Sequence, residues 1–224
     1  MGQRERYSSP EVRAGDAMAT KAVLICSTAF VLSSWIIVMI NDPLSFGWFA
    51  PHPLLQSAAL VLFTYGIFTL QPTTQPRTKA AGLVRHQLAT IITGVPVIVL
   101  GTLSIWYNKA LNGKPHFVTW HGTFGLLCIT WLVVQAFVGG GSVWFGGYVF
   151  GGGMRAKSVW KYHRASGYIL FILMIFTAHL GGAWSNWGIK HTNIPVRFLA
   201  FTIAPFGIVV SVLARVRLTK MKFS

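Results

Sequence analysis

The chain has 224 residues, 53% of them apolar and 10% charged, with 19 Lys and Arg against 4 Asp and Glu. Long apolar runs recur from Ala19 to Leu213, which excludes an ordinary water-soluble domain. A net charge of +15 suggests nucleic acid at first sight, but its placement along the chain points to a lipid bilayer instead.

A helix needs about 20 apolar residues to cross the ~30 Å hydrocarbon layer. Six stretches qualify, at 19–41, 49–71, 84–107, 117–139, 163–183 and 197–214. The expected organisation is a polar tail (1–18), a transmembrane domain (19–216) and a second tail (217–224). Helix 1 reads as a retained anchor, since no small-residue cleavage site follows it. The tails, loop 2–3 and loop 4–5 carry 15 of the 19 Lys and Arg, and the intervening loops carry 4. That alternation places both termini in the cytosol and makes a nucleic-acid partner unnecessary. Cys26 and Cys128 lie inside apolar runs without CxxC or CxxCH spacing, which leaves covalent haem, a zinc ribbon and a disulfide framework unsupported. Trp48, Tyr107, Trp120, Trp184 and Trp187 sit at predicted helix ends, as an interfacial belt requires.

One loop is long. Residues 139–162 read GGGSVWFGGYVFGGGMRAKSVWKY. The expectation is a flexible linker that rests Trp144, Phe145, Tyr148 and Phe150 among lipid headgroups, with a lid over a cytosolic-side cofactor as the sharper alternative.

Seven histidines are present, and four of them, His52, His86, His121 and His163, open helices 2, 3, 4 and 5. Helices 2 and 4 run inward and helices 3 and 5 outward, so His52 and His121 share the non-cytosolic layer and His86 and His163 the cytosolic one. Two imidazoles at one depth can ligate one iron from opposite faces, the geometry of an electron-transferring haem. The expected architecture is therefore an all-α integral membrane protein of six transmembrane helices, with a four-helix core (helices 2–5) that holds two haems b. Zinc wants four ligands at one point, whereas these histidines split into two pairs. After Asp42 the chain contains no Asp or Glu, which removes carboxylate-bridged di-iron chemistry from the core.

A residue 14 positions on lies about 21 Å along the helix and close to the same face. From His52, His121 and His163 these positions are Gly66, Gln135 and Thr177, and from His86 it is Leu100 beside Gly101. The small or polar residues among them, three of the four, are expected to leave room for a porphyrin at the other layer and to donate to it. Gly125 and Gly167, four residues after His121 and His163, are expected to let a haem edge approach the backbone, or to serve tight helix packing. His179 is rotated roughly 160° from the face of His163 and reads as a packing histidine. His116 and His191 fall in loops.

The segments FAPHPLLQ, the basic residue before His86, HFVTWHGTFGLL and WKYHRASGYILF together resemble the cytochrome b561 family, most closely its short single-domain branch, over residues 20–216. The resemblance implies haem ligands at His52, His86, His121 and His163, paired as above. It further implies ascorbate as cytosolic electron donor and monodehydroascorbate or a ferric chelate as acceptor on the other side. An endomembrane home (reticulum, endosome or vesicle) and frequent homodimers follow from it as well. Two features depart from the family: many members have Ser-His-Ser-Trp where this chain has Trp120-His121-Gly122-Thr123, and an ALLVYRVFR-like segment is absent.

An anionic reductant would be drawn by cytosolic cations among Lys79, Arg85, Arg155, Lys157, Lys161 and Arg164. Lys114, His116 and Trp120 are the corresponding candidates on the outer side. Two other classes stay open from the residues alone. One is a haem-b anchor subunit that passes electrons between a flavoprotein or quinone and a partner; the other is a helical bundle without haem. No GxGxxG motif occurs, so a nucleotide cofactor would belong to a separate chain.

Overall fold

The computed structural model describes residues 11–221, so the charges at Arg4, Arg6 and Lys222 that enter the topology argument lie outside the described residues. Among the described residues the structure is helical, without strands. Six helices are long and apolar enough to cross a membrane: α1 (Asp16–Ile40), α2 (Pro51–Leu70), α3 (Pro76–Leu111), α4 (Trp120–Gly141), α5 (Gly153–Ala183) and α6 (Ile194–Arg215). This is a multi-pass membrane protein.

The helix starts follow local chemistry. Pro51, Pro76 and Pro195 occupy first-turn positions, where the missing N–H costs nothing. The Thr119 and Asn193 side chains accept from the amides of Gly122 and Val196 and so cap α4 and α6. Two prolines instead fall within helices, and each follows a wide π turn: Leu88–Gly94 before Pro96, and Leu199–Ile203 before Pro205. Proline has no N–H to donate to the carbonyl four residues back and its ring crowds that oxygen, and widening the turn is one way to accommodate it.

α1 buries a stripe of Ala19, Val23, Ser27, Phe30, Ser34 and Ile37. The small members, Ala19, Ser27 and Ser34, let helices approach closely inside a membrane. α6 meets this stripe, and a Cβ on Gly207 would press into Cys26 Sγ. The two chain ends lock together at one face. Arg217 donates to Asp16 Oδ2 at 2.7 Å, Arg215 lies 3.8 Å from Asp16 Oδ1, and Arg215 stacks 4.2 Å over the Phe68 ring at the end of α2. On the same face Glu11 Oε1 accepts from the Thr74 and Gln75 amides and from the Thr74 and Thr78 hydroxyls, and so straps the N-terminal segment to the start of α3.

The core consists of two antiparallel hairpins, α2 along α3 and α4 along α5, flanked by the α1–α6 pair. The hairpins meet each other sparingly, chiefly where α2 passes α5. In consequence α4, although central, buries only Cys128 and Gly140.

Two boundaries differ from those the apolar pattern gives. α3 begins at Pro76 rather than 84, and α5 at Gly153 rather than 163, because hydropathy reports the thickness of the hydrocarbon and not the length of a helix. Residues 139–162 are accordingly not a flexible linker. A tight turn over Trp144–Phe150, with Phe145, Gly146 and Gly147 all left-handed, leads directly into α5. Gly147 is required there, since a Cβ would collide with Ala156 Cβ and sit 2.9 Å from the Ser142 carbonyl. Trp144 lies against Gly140, and Phe150 packs on Phe137 with ring centres 6.4 Å apart. Phe145 and Tyr148 are the residues that project, 94% and 83% exposed.

Candidate functional site

The helix-opening histidines come together as two pairs. The His52 and His121 ring centres are 5.8 Å apart with planes at 78°, and those of His86 and His163 are 6.3 Å apart with planes at 82°. The first pair lies at the face opposite the chain termini and the second at the termini face. A metal held from both sides by imidazole, each bond roughly 2 Å long, sets the ring centres about 6 Å apart. Both pairs meet that spacing. Among the described residues no third His, Cys, Asp or Glu joins either pair.

Each hairpin supports its own histidines. His52 Nδ1 lies 2.9 Å from the Gly101 carbonyl of α3, and His121 Nδ1 lies 2.9 Å from the Thr177 carbonyl of α5. A ring that donates from Nδ1 leaves the Nε2 lone pair for a metal. At the other level, Gln135 Nε2 of α4 lies 3.0 Å from His163 Nδ1 and donates to the His163 carbonyl at 2.6 Å. His86 Nδ1 faces the Gly66 backbone but finds no hydrogen-bond partner among the described residues.

The positions 14 residues on therefore act differently from the sequence expectation. Gln135, Thr177 and Gly101 face the Nδ1 side of a histidine on the neighbouring helix, while Gly66 receives α3, where a Cβ would meet Thr90 Cγ2 at 2.8 Å. Gly167 makes room for Gln135, whose Nε2 is 2.7 Å from where a Cβ would stand. Gly125 borders open space, with Thr177 Cγ2 at 4.0 Å as its nearest neighbour. Sequence reasoning missed Gly181 and Gly139, where a Cβ would lie 2.7 Å from His121 Cε1 and 2.6 Å from His163 Cε1. A glycine opposite a ring carries no signal of its own in the sequence.

A cavity of about 700 Å³ opens around the His86–His163 pair. Phe63, Phe171 and Met174 line its depth, and Lys79, Arg164, Trp144 and Trp160 its termini-face end. Tyr168 donates to Gln71 Oε1 at 2.9 Å across the cavity wall and ties α5 to the end of α2. Of the six cationic candidates on this face, Lys79 and Arg164 line the cavity and Arg85, Arg155, Lys157 and Lys161 do not. Lys161 lies over the Tyr162 ring at 5.2 Å.

The outer candidates are dispersed. Lys114 joins Asn108, Asn112, Ser45 and Trp48 around a separate surface pocket, His116 stacks on Trp106 at 5.7 Å, and Trp120 is 74% exposed beside Phe124. His179 stands apart from both pairs. Its Nδ1 lies 2.8 Å from the Phe201 carbonyl, the oxygen that Pro205 four residues on has no N–H to meet, and its Nε2 accepts from Trp184 Nε1 at 3.0 Å. His191 binds Asn41 Oδ1 at 3.1 Å and pins the loop between α1 and α2.

A comparison with curated proteins finds no match. A family model, that of eukaryotic cytochrome b561, matches residues 51–187. This range spans more than half of the chain, covers α2 to α5, and includes all four paired histidines. The chain belongs to the cytochrome b561 family, whose members carry electrons across membranes on haem b.

Proposed function

We propose that this chain holds two haems b, one between His52 and His121 and one between His86 and His163, and that it passes single electrons from cytosolic ascorbate to monodehydroascorbate or a ferric chelate on the opposite side. The observation that carries the reading is the ring spacing of 5.8 and 6.3 Å in two pairs drawn from alternate helices. Bound between two imidazoles, haem iron supplies a reversible one-electron couple. The protein's contribution is to fix that environment. The carbonyls of Gly101 and Thr177 hold the tautomer and orientation of His52 and His121. The apolar depth formed by Phe63, Phe171 and Met174 excludes water. Arg164 and Lys79 at the cavity's termini-face end supply positive charge, which attracts an enediolate anion. The alternation of basic loops supports a cytosolic termini face. On the far side Lys114, with Asn108 and Asn112, offers a polar pocket to an anionic acceptor.

Ascorbate as donor and an endomembrane home rest on the resemblance to the family's short branch, typified by cytochrome b561 domain-containing protein 2. The test is haem stoichiometry in the purified wild type and in each His→Ala variant at 52, 86, 121 and 163. Two haems per chain are expected, with one lost on removing either member of a pair; a single haem, or none, in the wild type overturns the reading. Proteoliposomes with a trapped ferric chelate then examine the donor. Reduction by quinol but not by ascorbate would replace the substrate assignment with an anchor-subunit role.

A further inference from the structure

The four paired histidines are not held alike at Nδ1. His52 and His121 each meet a main-chain carbonyl, at 2.9 Å in both cases. His86 meets no partner among the described residues. His163 meets a side chain, the amide of Gln135.

That amide sits in a small hydrogen-bonded network. Trp131 Nε1 donates to Ser166 Oγ at 2.8 Å, Ser166 donates to Gln135 Oε1 at 3.0 Å, and Gln135 Nε2 reaches the His163 carbonyl. Gly167, one turn beyond that carbonyl, leaves the space in which the amide lies.

Resting on the haem reading above, the geometry points to Gln135 as the positioning residue of His163 and the side chain through which this protein sets the reduction potential of its termini-face haem. The chemistry follows from proton placement. When Nε2 is bound to a metal, the single ring proton of a neutral imidazole is on Nδ1, and that N–H needs an acceptor. An amide offers either end: a half-turn about its terminal bond, with a small withdrawal from the His163 carbonyl, presents Oε1 to Nδ1–H and gives its NH₂ to Ser166 Oγ, while that carbonyl keeps its helical partner four residues on. Ser166 can accept from Trp131 and Gln135 together, because a hydroxyl has two lone pairs. An acceptor at Nδ1 makes imidazole a stronger donor to iron, which favours the ferric form and lowers the potential. The other three histidines give a side-chain substitution no such handle, since their Nδ1 atoms meet main chain or no partner among the described residues.

Holoprotein of the wild type, Gln135→Met, Gln135→Glu and Gly167→Ala is titrated spectroelectrochemically after its haem content is measured. Methionine keeps the bulk of glutamine and removes the acceptor, and Gly167→Ala displaces the amide without changing its chemistry. In both, one of the two couples is expected to move positive by about tenfold in its equilibrium constant, about 59 mV for one electron, while the other stays still. Gln135→Glu moves the same couple negative. The proposal is overturned if neither couple moves, if both move together, or if Met and Glu shift the potential in the same direction. Loss of one haem in Gln135→Met supports it when Gln135→Glu retains that haem, and overturns it when both variants lose it. A wild type without two haems would instead overturn the functional reading on which this inference stands.

Discussion

If haem is held between His52 and His121 as proposed, replacing Gly181 by alanine should weaken that site selectively. The added Cβ would stand 2.7 Å from His121 Cε1 and 2.8 Å from Nδ1, whereas ordinary contact begins at 3.4 Å, so the ring must retreat by about 0.7 Å. The retreat takes Nδ1 away from the Thr177 carbonyl, now 2.9 Å distant, and beyond useful hydrogen-bonding range. The lost bond costs about 1 kcal/mol, and a ring pushed off its preferred rotamer costs about 1 kcal/mol more. Together, about 2 kcal/mol corresponds to roughly thirtyfold weaker haem retention at that site. The assay is haem content by pyridine haemochrome while a haem-scavenging apoprotein is titrated in, read beside the visible spectrum. One haem should leave the variant early and the other should leave as in the wild type. Wild-type retention of both haems would refute the claim that the absence of a side chain at Gly181 seats His121.

Glu11 sets a pH dependence for the strap between the N-terminal segment and α3. Hydrogen bonds from Thr78, Gln75 and Thr74 lower its pKa from 4.5 to about 2. A depressed carboxyl pKa contributes its stabilisation above pH 4.5 and loses it as pH falls from 4.5 through about 2. Glu11→Gln should therefore speed hydrogen exchange at the Thr74 and Gln75 amides at pH 7, and unchanged exchange there would count against the strap. His179→Ala should leave both haems in place and destabilise the protein by about 1–2 kcal/mol, the cost of stranding the Phe201 carbonyl. In a Pro205→Ala background, which restores the missing N–H, the same change should cost measurably less; equal cost in thermal unfolding of the two backgrounds would dismiss the capping role.

The paired histidines were legible because depth in a membrane follows directly from position along a helix of known rise. His52, His86, His121 and His163 open four consecutive helices, so alternation of direction alone assigns them to two levels. The spacing of 14 residues located the right levels for Gln135 and Thr177, but not their task. That task depends on how α4 and α5 are rotated against each other, which no single helix records. Main-chain partners such as the Gly101 carbonyl are silent in a sequence, because every residue carries one. The start of α5 was misplaced for a different reason: Met154 to Tyr162 is too polar for hydrocarbon, yet it contains nothing that breaks a helix, and the turn before it is set by three left-handed residues in a row.

The sparse meeting of the two central hairpins bears on how the molecule is assembled. Lipid tails give apolar helices no reason to prefer one another, so cohesion in a bilayer comes from close fit and polar links. Between the α2–α3 and α4–α5 halves the links are few, the Tyr168–Gln71 bridge among them, and a wide cavity takes the place of close fit. On the two-haem reading the halves are built like two leaves of a clasp whose pin is the ligand itself, so removing haem should loosen the α2–α3 half from the α4–α5 half before either hairpin comes apart.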